Sequence, residues 1–475
     1  MNNASNVKLS RISKLFVDGG EISAADALAR RERHRIIIKC GVDVARSRTL
    51  QLAVLTAANI AGRCFPGAVR FSLDPGLAEA PLLIWPRMET TFGAALAEIA
   101  GAESLAKTAD ADEARHILMF GTATAARAAM RVTFDGWIAK VGPADKVERL
   151  QEREFCALVG ALAGALAISE VFLSFAGLNI EAARRSIGLS LWRPDLSPDD
   201  PFAIGVPVQF LPGELWVLGL GHLGNAYLWA LAALPYANPT SAEIYLNDFD
   251  IVEPENFDTG MIFGSRDASA LKTRVCAEWL ERRGFRTRLI ERPFDSNFRC
   301  RTVRPQIEPR LALCGFDSNP ARRHLETADF LRVMESGLGG TKDNFDTISF
   351  HTLPNPRTAA ELWPDLSHEE QARQQEHLDR VARENPVYAE LGDDVCGRAE
   401  LAGKSVAVPF VGAIAATLVL SEVLKLLHEG PVYTDIKIAL SDPERLFAGT
   451  SRNYGALDLV GLRSCDAAIS QEYDS

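Results

Sequence analysis

Cysteine is sparse in this chain and never paired. Its eight cysteines, Cys40, Cys64, Cys156, Cys276, Cys300, Cys314, Cys396 and Cys465, are scattered over 475 residues, and no C-x-x-C occurs. That spacing excludes a paired-cysteine zinc site and fits a reducing, cytoplasmic setting. Positive charge is also short. A net charge of −11 argues against binding nucleic acid over a broad surface. The opening residues, M-N-N-A-S-N-V-K, contain no apolar run, so no secretory signal peptide is expected. Long apolar runs are few. The strongest, residues 155–172, is about one membrane thickness long. Glu154 bounds it, Ser169 and Glu170 lie inside it, and a counterpart recurs later in the chain. A buried core helix is therefore predicted rather than a membrane span.

What is present is organised around residues 216–272. The stretch opens W-V-L-G-L-G-H-L-G, an apolar strand followed by Gly219, Gly221 and Gly224 in G-x-G-x-x-G spacing. The first glycine allows a tight strand-to-helix turn. The second lets backbone approach a phosphate, and the third lets helix pack on strand. A helix over residues 225–234 would present its N-terminus to an anion. A second strand, 243–246, ends in Asp248-Phe249-Asp250, with Asp248 placed to bind ribose hydroxyls. Asn256 and Lys272 follow. A strand over 311–314 then leads into G-F-D-S-N-P-A-R-R, with Asp317. Dehydrogenases and flavoproteins share the glycine fingerprint, so the continuation decides the reading.

D-x-D, then Asn, then Lys, then a strand ending in x-x-D-[NS] resembles the ThiF/MoeB and ubiquitin-activating-enzyme family over residues 207–340 and 404–427. The resemblance implies an enzyme that binds ATP and Mg²⁺ and adenylates the C-terminal glycine of a ubiquitin-like protein. It implies that Gly219, Gly221 and Gly224 cradle phosphate, that Asp248 binds ribose with Asp250 supporting the loop, and that Asn256 touches the nucleotide. Lys272 would contact phosphate, and Asp317 would hold Mg²⁺ or position the triphosphate. Each has a plainer reading: a packing turn, a strand-end aspartate, a cap at Asn256, a surface lysine. The segment S-R-I-S-K-L-F resembles the family's N-terminal helix, where an arginine reaches the ATP of the other half; Arg11 occupies that place. One position departs from the pattern. Where the family has N-x-x-R-Q, this chain reads N-F-D-T-G, with Thr259 in place of a phosphate-gripping arginine; Arg266 or Arg322 is the candidate replacement.

The chain also repeats itself. Strand, helix and strand over residues 35–73 follow the order of the central stretch without its glycines. A strand at 116–121, an A-R-rich helix and a further strand answer the segment after Gly315. F-C-A-L-V-G-A-L-A-G-A-L-A-I-S-E-V-F-L (155–173) answers V-P-F-V-G-A-I-A-A-T-L-V-L-S-E-V-L-K-L (408–426). The predicted fold class is α/β: two tandem Rossmann-like, adenylation-type domains, pseudo-symmetric, with a degenerate copy over 1–200 and a working copy over 205–450. This is a pseudo-dimer within one chain, similar to the inactive and active domains of ubiquitin-activating enzymes. Residues 184–213, rich in Pro, Asp and Gly, read as the linker. Residues 451–475 form a C-terminal tail, expected to fray from 464 onward.

The working copy alone carries an insertion, 341–403; its residues 353–387 are Pro-interrupted, then charged and helical, and it ends in a polar loop holding Cys396. The family's crossover loop carries the catalytic cysteine where there is one. Cys396 is thus the expected thioester nucleophile, with Arg398 and Lys404 as a local positive field. The fused inactive half and this cysteine resemble bacterial activating enzymes of ubiquitin-like conjugation systems in antiphage operons, which implies a conjugating-enzyme partner. Three alternatives are weighed against it: an adenylyltransferase for a sulfur-carrier protein, an NAD-dependent oxidoreductase, and a non-catalytic binding module.

Overall fold

The structure is a computed structural model describing residues 10–19, 22–106, 114–303, 307–365, 367–385, 387–388 and 402–468. Two short helices, α1 (Lys14–Asp18) and α2 (Ala24–Glu32), precede the first sheet. The first half then runs β1 (Ile36–Cys40), α3 (Arg48–Cys64), β2 (Val69–Leu73), α4 (Phe92–Ala100), α5 (Ala102–Ala106), β3 (His116–Phe120), β4 (Met130–Asp135), β5 (Ile138–Pro143), α6 (Leu158–Ala176) and β6 (Ile187–Ser190). Its sheet has the order β2-β1-β3-β4-β5-β6. The first four strands are parallel and the last two antiparallel. Ile36, Ile37 and Ile38 are all buried, as expected of a parallel strand covered on both faces.

The second half opens with β7 (Phe210–Pro212), β8 (Glu214–Leu218), α7 (His222–Ala232), β9 (Glu243–Asn247), α8 (Lys272–Glu281), β10 (Arg286–Ile290), β11 (Leu311–Cys314) and α9 (Asn319–Arg323). It continues through β12 (Arg332–Leu338), β13 (Thr347–Leu353), α10 (Ala359–Leu362), α11 (His368–Glu384) and α12 (Pro409–Leu427). It ends with β14 (Val432–Tyr433), β15 (Asp435–Ala439), β16 (Asp442–Ala448), β17 (Ser451–Arg452) and β18 (Ser464–Asp466). The large sheet has the order β10-β9-β8-β11-β12-β13-β15-β16. Without its two edge strands this repeats the first sheet strand for strand, including the change from parallel to antiparallel after β12. The pseudo-symmetry expected from the sequence repeat is therefore a repeat of topology.

Helices α6 and α12 are each long and apolar enough to cross a membrane, and 94% of an 18-residue apolar stretch in each is buried inside the chain. They pack on one another at the join of the halves, α3 against α6 and α7 against α12, within one apolar core that runs through both halves. Close approach is possible because Gly160 and Gly164 lack a Cβ; one built there would lie 2.3 Å from the carbonyl oxygens of Thr49 and Ala53. The S-E-V sequence of each helix carries a buried carboxylate to the same task. Glu170 pairs with Arg185 at 2.7 Å and accepts the Ala183 amide. Glu422 pairs with Lys425 at 2.5 Å and accepts the Tyr433 amide.

Five expectations need correction. Residues 341–403, expected as an insertion that the first half lacks, begin with β13, which takes the place in the second sheet that β5 takes in the first. Residues 122–129, the predicted A-R-rich helix, form no helix; most are exposed alanine and polar positions with no apolar face to bury. The proposed linker contains β6, a full member of the first sheet, and Trp192 beyond it stacks edge-on against Trp137 at 5.1 Å. The tail does not fray at 464: β18 pairs with β7, and Ala467 donates to the Gln209 carbonyl. Cys156, expected within a helix, precedes α6.

Candidate functional site

The strand order of the large sheet reverses between the parallel neighbours β8 and β11, since the chain builds outward to β9 and β10 on one side and to β12 on the other. Open α/β sheets bind ligands outside the carboxyl ends of the strands at such a point. A cavity of about 730 Å³ opens there. Arg11, Gly219, Gly221, Asp248, Asp250, Asn256, Lys272 and Asp317 all line it. Gly224, the third glycine of the run, is not among its walls.

The turn from β8 into α7 explains the glycine spacing. Gly219 has φ +79°, a left-handed conformation that L side chains rarely adopt. A Cβ at Gly221 would meet nothing within 4 Å, so this residue leaves open space in front of the helix. A Cβ at Gly224 would lie 2.0 Å from the Gly219 carbonyl, so the third glycine serves helix packing. Gly221 is the N-cap residue of α7, and no side chain caps that helix.

Asp248 is 9% exposed. Its two oxygens accept the amides of Leu220 (2.6 Å) and Asp250 (2.8 Å) and hold the turn and the strand-end loop together. Lys272, first residue of α8, pairs with Asp250 at 2.9 Å, and its amide donates to the Asp250 carbonyl. Asn256 caps its own short turn, its side-chain oxygen accepting the Glu253 amide at 2.9 Å, while facing the cavity. Asp317 follows β11, just before Ser318, the N-cap of α9.

Arg11 comes from the first half's lead-in and closes the second half's cavity. Its guanidinium donates to the Ser405 carbonyl at 3.3 Å and to the Ser405 hydroxyl. Burial lowers its pKa, against the opposing pull of Asp317, Glu255 and Asp258. Beside it His222 begins α7 against Gly412 of α12. Burial first, and then Arg11, push the pKa of His222 down to about 3, so the ring is neutral.

Thr259 is buried and lies outside the cavity walls. Arg266 is exposed, paired with Asp267 at 3.6 Å, and also outside them. Arg322 does line the cavity. The loop that carries Thr259 is instead held from the first half. Arg63 donates to the carbonyls of Phe257 and Phe263, and Asn59 donates to that of Met261 at 2.9 Å. Asn225 of α7 ties the same loop to the glycine turn, donating to Leu220 (2.8 Å) and accepting from Ile262 (3.0 Å). None of these was singled out from the sequence; the G-x-G-x-x-G run is followed at once by Asn225, the one signal that was available.

Cys396 and Arg398 lie outside the described residues. Lys404 pairs with Glu255. Burial pushes the thiols of Cys40, Cys64, Cys276 and Cys314 up, and those of Cys156 and Cys300 to about 12. These six are therefore protonated and poor nucleophiles. Among the described residues no group of three or more His, Cys, Asp or Glu is arranged to hold a metal.

Two family models match the chain, one in each half. Residues 35–191 match the family model of the BilD N-terminal domain, and residues 211–430 that of the BilD C-terminal domain. The bacterial E1-like protein BilD of Collimonas sp. (strain OK412) is 35% identical over 432 residues, covering 90% of each chain. Among solved structures, E. coli MccB overlaps 55% of this chain and 68% of its own at 16% identity, with a TM-score of 0.36. The structure of MccB with ATP overlaps 51% and 65% at 15% identity, with a TM-score of 0.35. The chain belongs to the BilD family of bacterial E1-like proteins.

Proposed function

We propose that the second half binds ATP with Mg²⁺ and adenylates the C-terminal carboxylate of a ubiquitin-like protein, which is then captured as a thioester on Cys396 and passed to a conjugating enzyme. The carboxylate oxygen attacks the α-phosphorus, the bond to the bridging oxygen breaks, and pyrophosphate leaves. The Cys396 thiolate then attacks the acyl carbon, and AMP leaves. The observation that carries the reading is the uncapped N-terminus of α7 behind Gly221, facing a cavity that Arg11 and Lys272 line as cations. Helix N-terminal amides and fixed cations suit a triphosphate, whose charge they neutralise without reorganising. Asp317 is the carboxylate we assign to Mg²⁺, which takes one or two protein carboxylates and completes its shell with phosphate oxygens and water. Asp248 and Asp250 then face the ribose side, and Asn256 the nucleotide. Family membership supports activation of a protein substrate, and we place the reaction in the cytoplasm, within a bacterial conjugation system of antiphage defence.

The test is pyrophosphate exchange into ATP, dependent on candidate ubiquitin-like proteins, together with a non-reducing gel for a thiol-sensitive adduct. Exchange should disappear in Asp317→Ala, and the adduct in Cys396→Ala. Exchange with no adduct in any variant would instead assign adenylation alone, as for a sulfur carrier. No exchange in the wild type would leave a binding module.

A further inference from the structure

Arg322 lines the cavity, yet its guanidinium turns into the protein. Nε and one amino group donate to the Phe316 carbonyl at 2.9 and 2.5 Å, and the other amino group donates to Asn319 Oδ1 at 3.3 Å. Only 11% of the side chain is exposed. It does not stand in for the family arginine that Thr259 replaces, because its donors are taken by the Phe316 carbonyl and the Asn319 side chain. Its counter-charge is Glu335 of β12, wholly buried, at 3.0 Å from Nε. The other Glu335 oxygen meets His351 Nδ1 of β13 at 2.8 Å. His351 Nε2 lies 3.9 Å from Asp435 of β15, which Arg357 pairs from the surface.

These are directly opposed cross-strand partners: Glu335 faces His351, and His351 faces Asp435. Three adjacent strands thus each place one side chain in a line that runs from the surface to Phe316, the residue before Asp317. Gly337, two positions after Glu335 on the same face of β12, makes the room. A Cβ there would stand 3.2 Å from both guanidinium amino nitrogens. A buried ion pair of this kind adds little to stability relative to apolar residues of the same volume, because desolvation offsets its Coulomb attraction. Glu335 Oε1 accepts no hydrogen bond from the guanidinium, so the pair acts through charge: it keeps the guanidinium beside β12, where its donors meet the Phe316 carbonyl next to Asp317.

We propose that Glu335, seated by His351, is a positioning residue of the adenylation site: it holds Arg322 on the Phe316 carbonyl and so sets where Asp317 presents its carboxylate. The inference rests on the adenylation reading above. It predicts loss in the chemical step rather than in nucleotide binding, since a displaced carboxylate is felt most in the transition state.

The experiment is pyrophosphate exchange with the full chain and its ubiquitin-like substrate, with kcat and KM for ATP measured separately and thermal unfolding recorded for each variant. Glu335→Gln should lower kcat by about 10- to 100-fold and change KM by less than about threefold. Arg322→Lys should do the same. The double variant should be no worse than the worse single one, because both act through one contact. His351→Asn, whose amide can still donate to Glu335, should retain more activity than His351→Leu. A wild-type kcat in Glu335→Gln, or losses that multiply in the double variant, would overturn the proposal. Should Glu335→Gln fail to fold, Arg322→Lys and His351→Leu form the same cycle: non-multiplying losses support the proposal, and multiplying losses or a wild-type kcat overturn it. Wild-type exchange separates the two levels. Its absence overturns the adenylation reading and this inference with it; its presence beside an unaffected Glu335→Gln overturns this inference alone.

Discussion

After β8 the chain turns through Gly219, Leu220 and Gly221; after β1 it turns through Gly41, Val42 and Asp43. The two turns are built alike. An aspartate just past the neighbouring strand accepts the amide of the middle residue, Asp248 from Leu220 at 2.6 Å and Asp74 from Val42 at 3.0 Å. They differ at the third residue. Gly221 leaves the space before α7 open. Asp43 puts a carboxylate there, which accepts the amide and hydroxyl of Thr122 at 2.9 Å each and pairs with Arg149. Burial pushes the Asp43 carboxyl up, but these partners outweigh it and hold its pKa below the ordinary value. Helix α3 is capped by Ser47, with Glu154 accepting the Thr49 amide at 3.2 Å, whereas α7 has no side-chain cap. A helix N-terminus favours an anion. The first half supplies one from its own sequence, and the second leaves that position open. What remains for the first half to contribute is Arg11, and the grip of Asn59 and Arg63 on the loop after β9.

The comparison breaks most directly if the closed turn is copied into the open one. Gly221→Asp should lower affinity for ATP by about 100-fold or more, since a carboxylate placed beside phosphate costs several kcal/mol. Its thermal midpoint should barely move, because the new Cβ enters open space. Titration with a fluorescent ATP analogue measures this; unaltered binding would mean that phosphate sits elsewhere. Next in size is Arg11→Ala. Loss of a fixed cation from a preorganised site costs about 10²- to 10³-fold in kcat, and exchange should fall by that factor while the second half's fold persists. A smaller loss would show that the first half contributes only scaffolding.

The parts of the site written in local spacing were legible. Gly219, Gly221, Asp248, Lys272 and Asp317 each belong to a short motif whose backbone geometry follows from its residues, and Arg11 sits in a recognisable short segment. The residues that seat them were not, because their partners lie far along the chain. Arg31 is 1% exposed; it donates to the Ser10 and Ser13 hydroxyls on either side of Arg11, and to the carbonyls of Arg63 and Cys64 at the end of α3. No spacing rule links position 31 to position 11. The helix expected at 122–129 and absent from the structure is the converse case. Alanine and arginine favour helix locally, but Gly121 turns at φ +62° and Asp43 claims the Thr122 amide, so the segment is taken by the closed turn.

The closed turn should matter to stability and not to chemistry. Asp43→Asn removes the charge that Arg149 and Thr122 meet, and about 1–2 kcal/mol of unfolding free energy should go with it, read from urea denaturation. Exchange activity should stay within about twofold of wild type. A large fall in activity would mean that the first half's turn communicates with the cavity.

The smallest effect sharpens the comparison from the other end of the first sheet. His34 Nε2 and His116 Nδ1 meet at 3.0 Å beneath Phe65 and Phe175. Burial pushes their pKa values down to about 3 and about 4, so the folded chain keeps both rings neutral at mildly acidic pH. In the unfolded chain they titrate near ~6.5. Above that value both states are neutral and the full stability is present. As pH falls from ~6.5 toward 4, the unfolded state binds protons that the folded state refuses, and stability is lost. His116→Asn keeps a polar partner for His34 but cannot titrate there, so it should flatten the fall in urea midpoint over this window. The flattening is at most ~1.4 kcal/mol per pH unit for one proton. An unchanged slope would place the acid sensitivity on His222 in the second half, where it would track nucleotide binding instead.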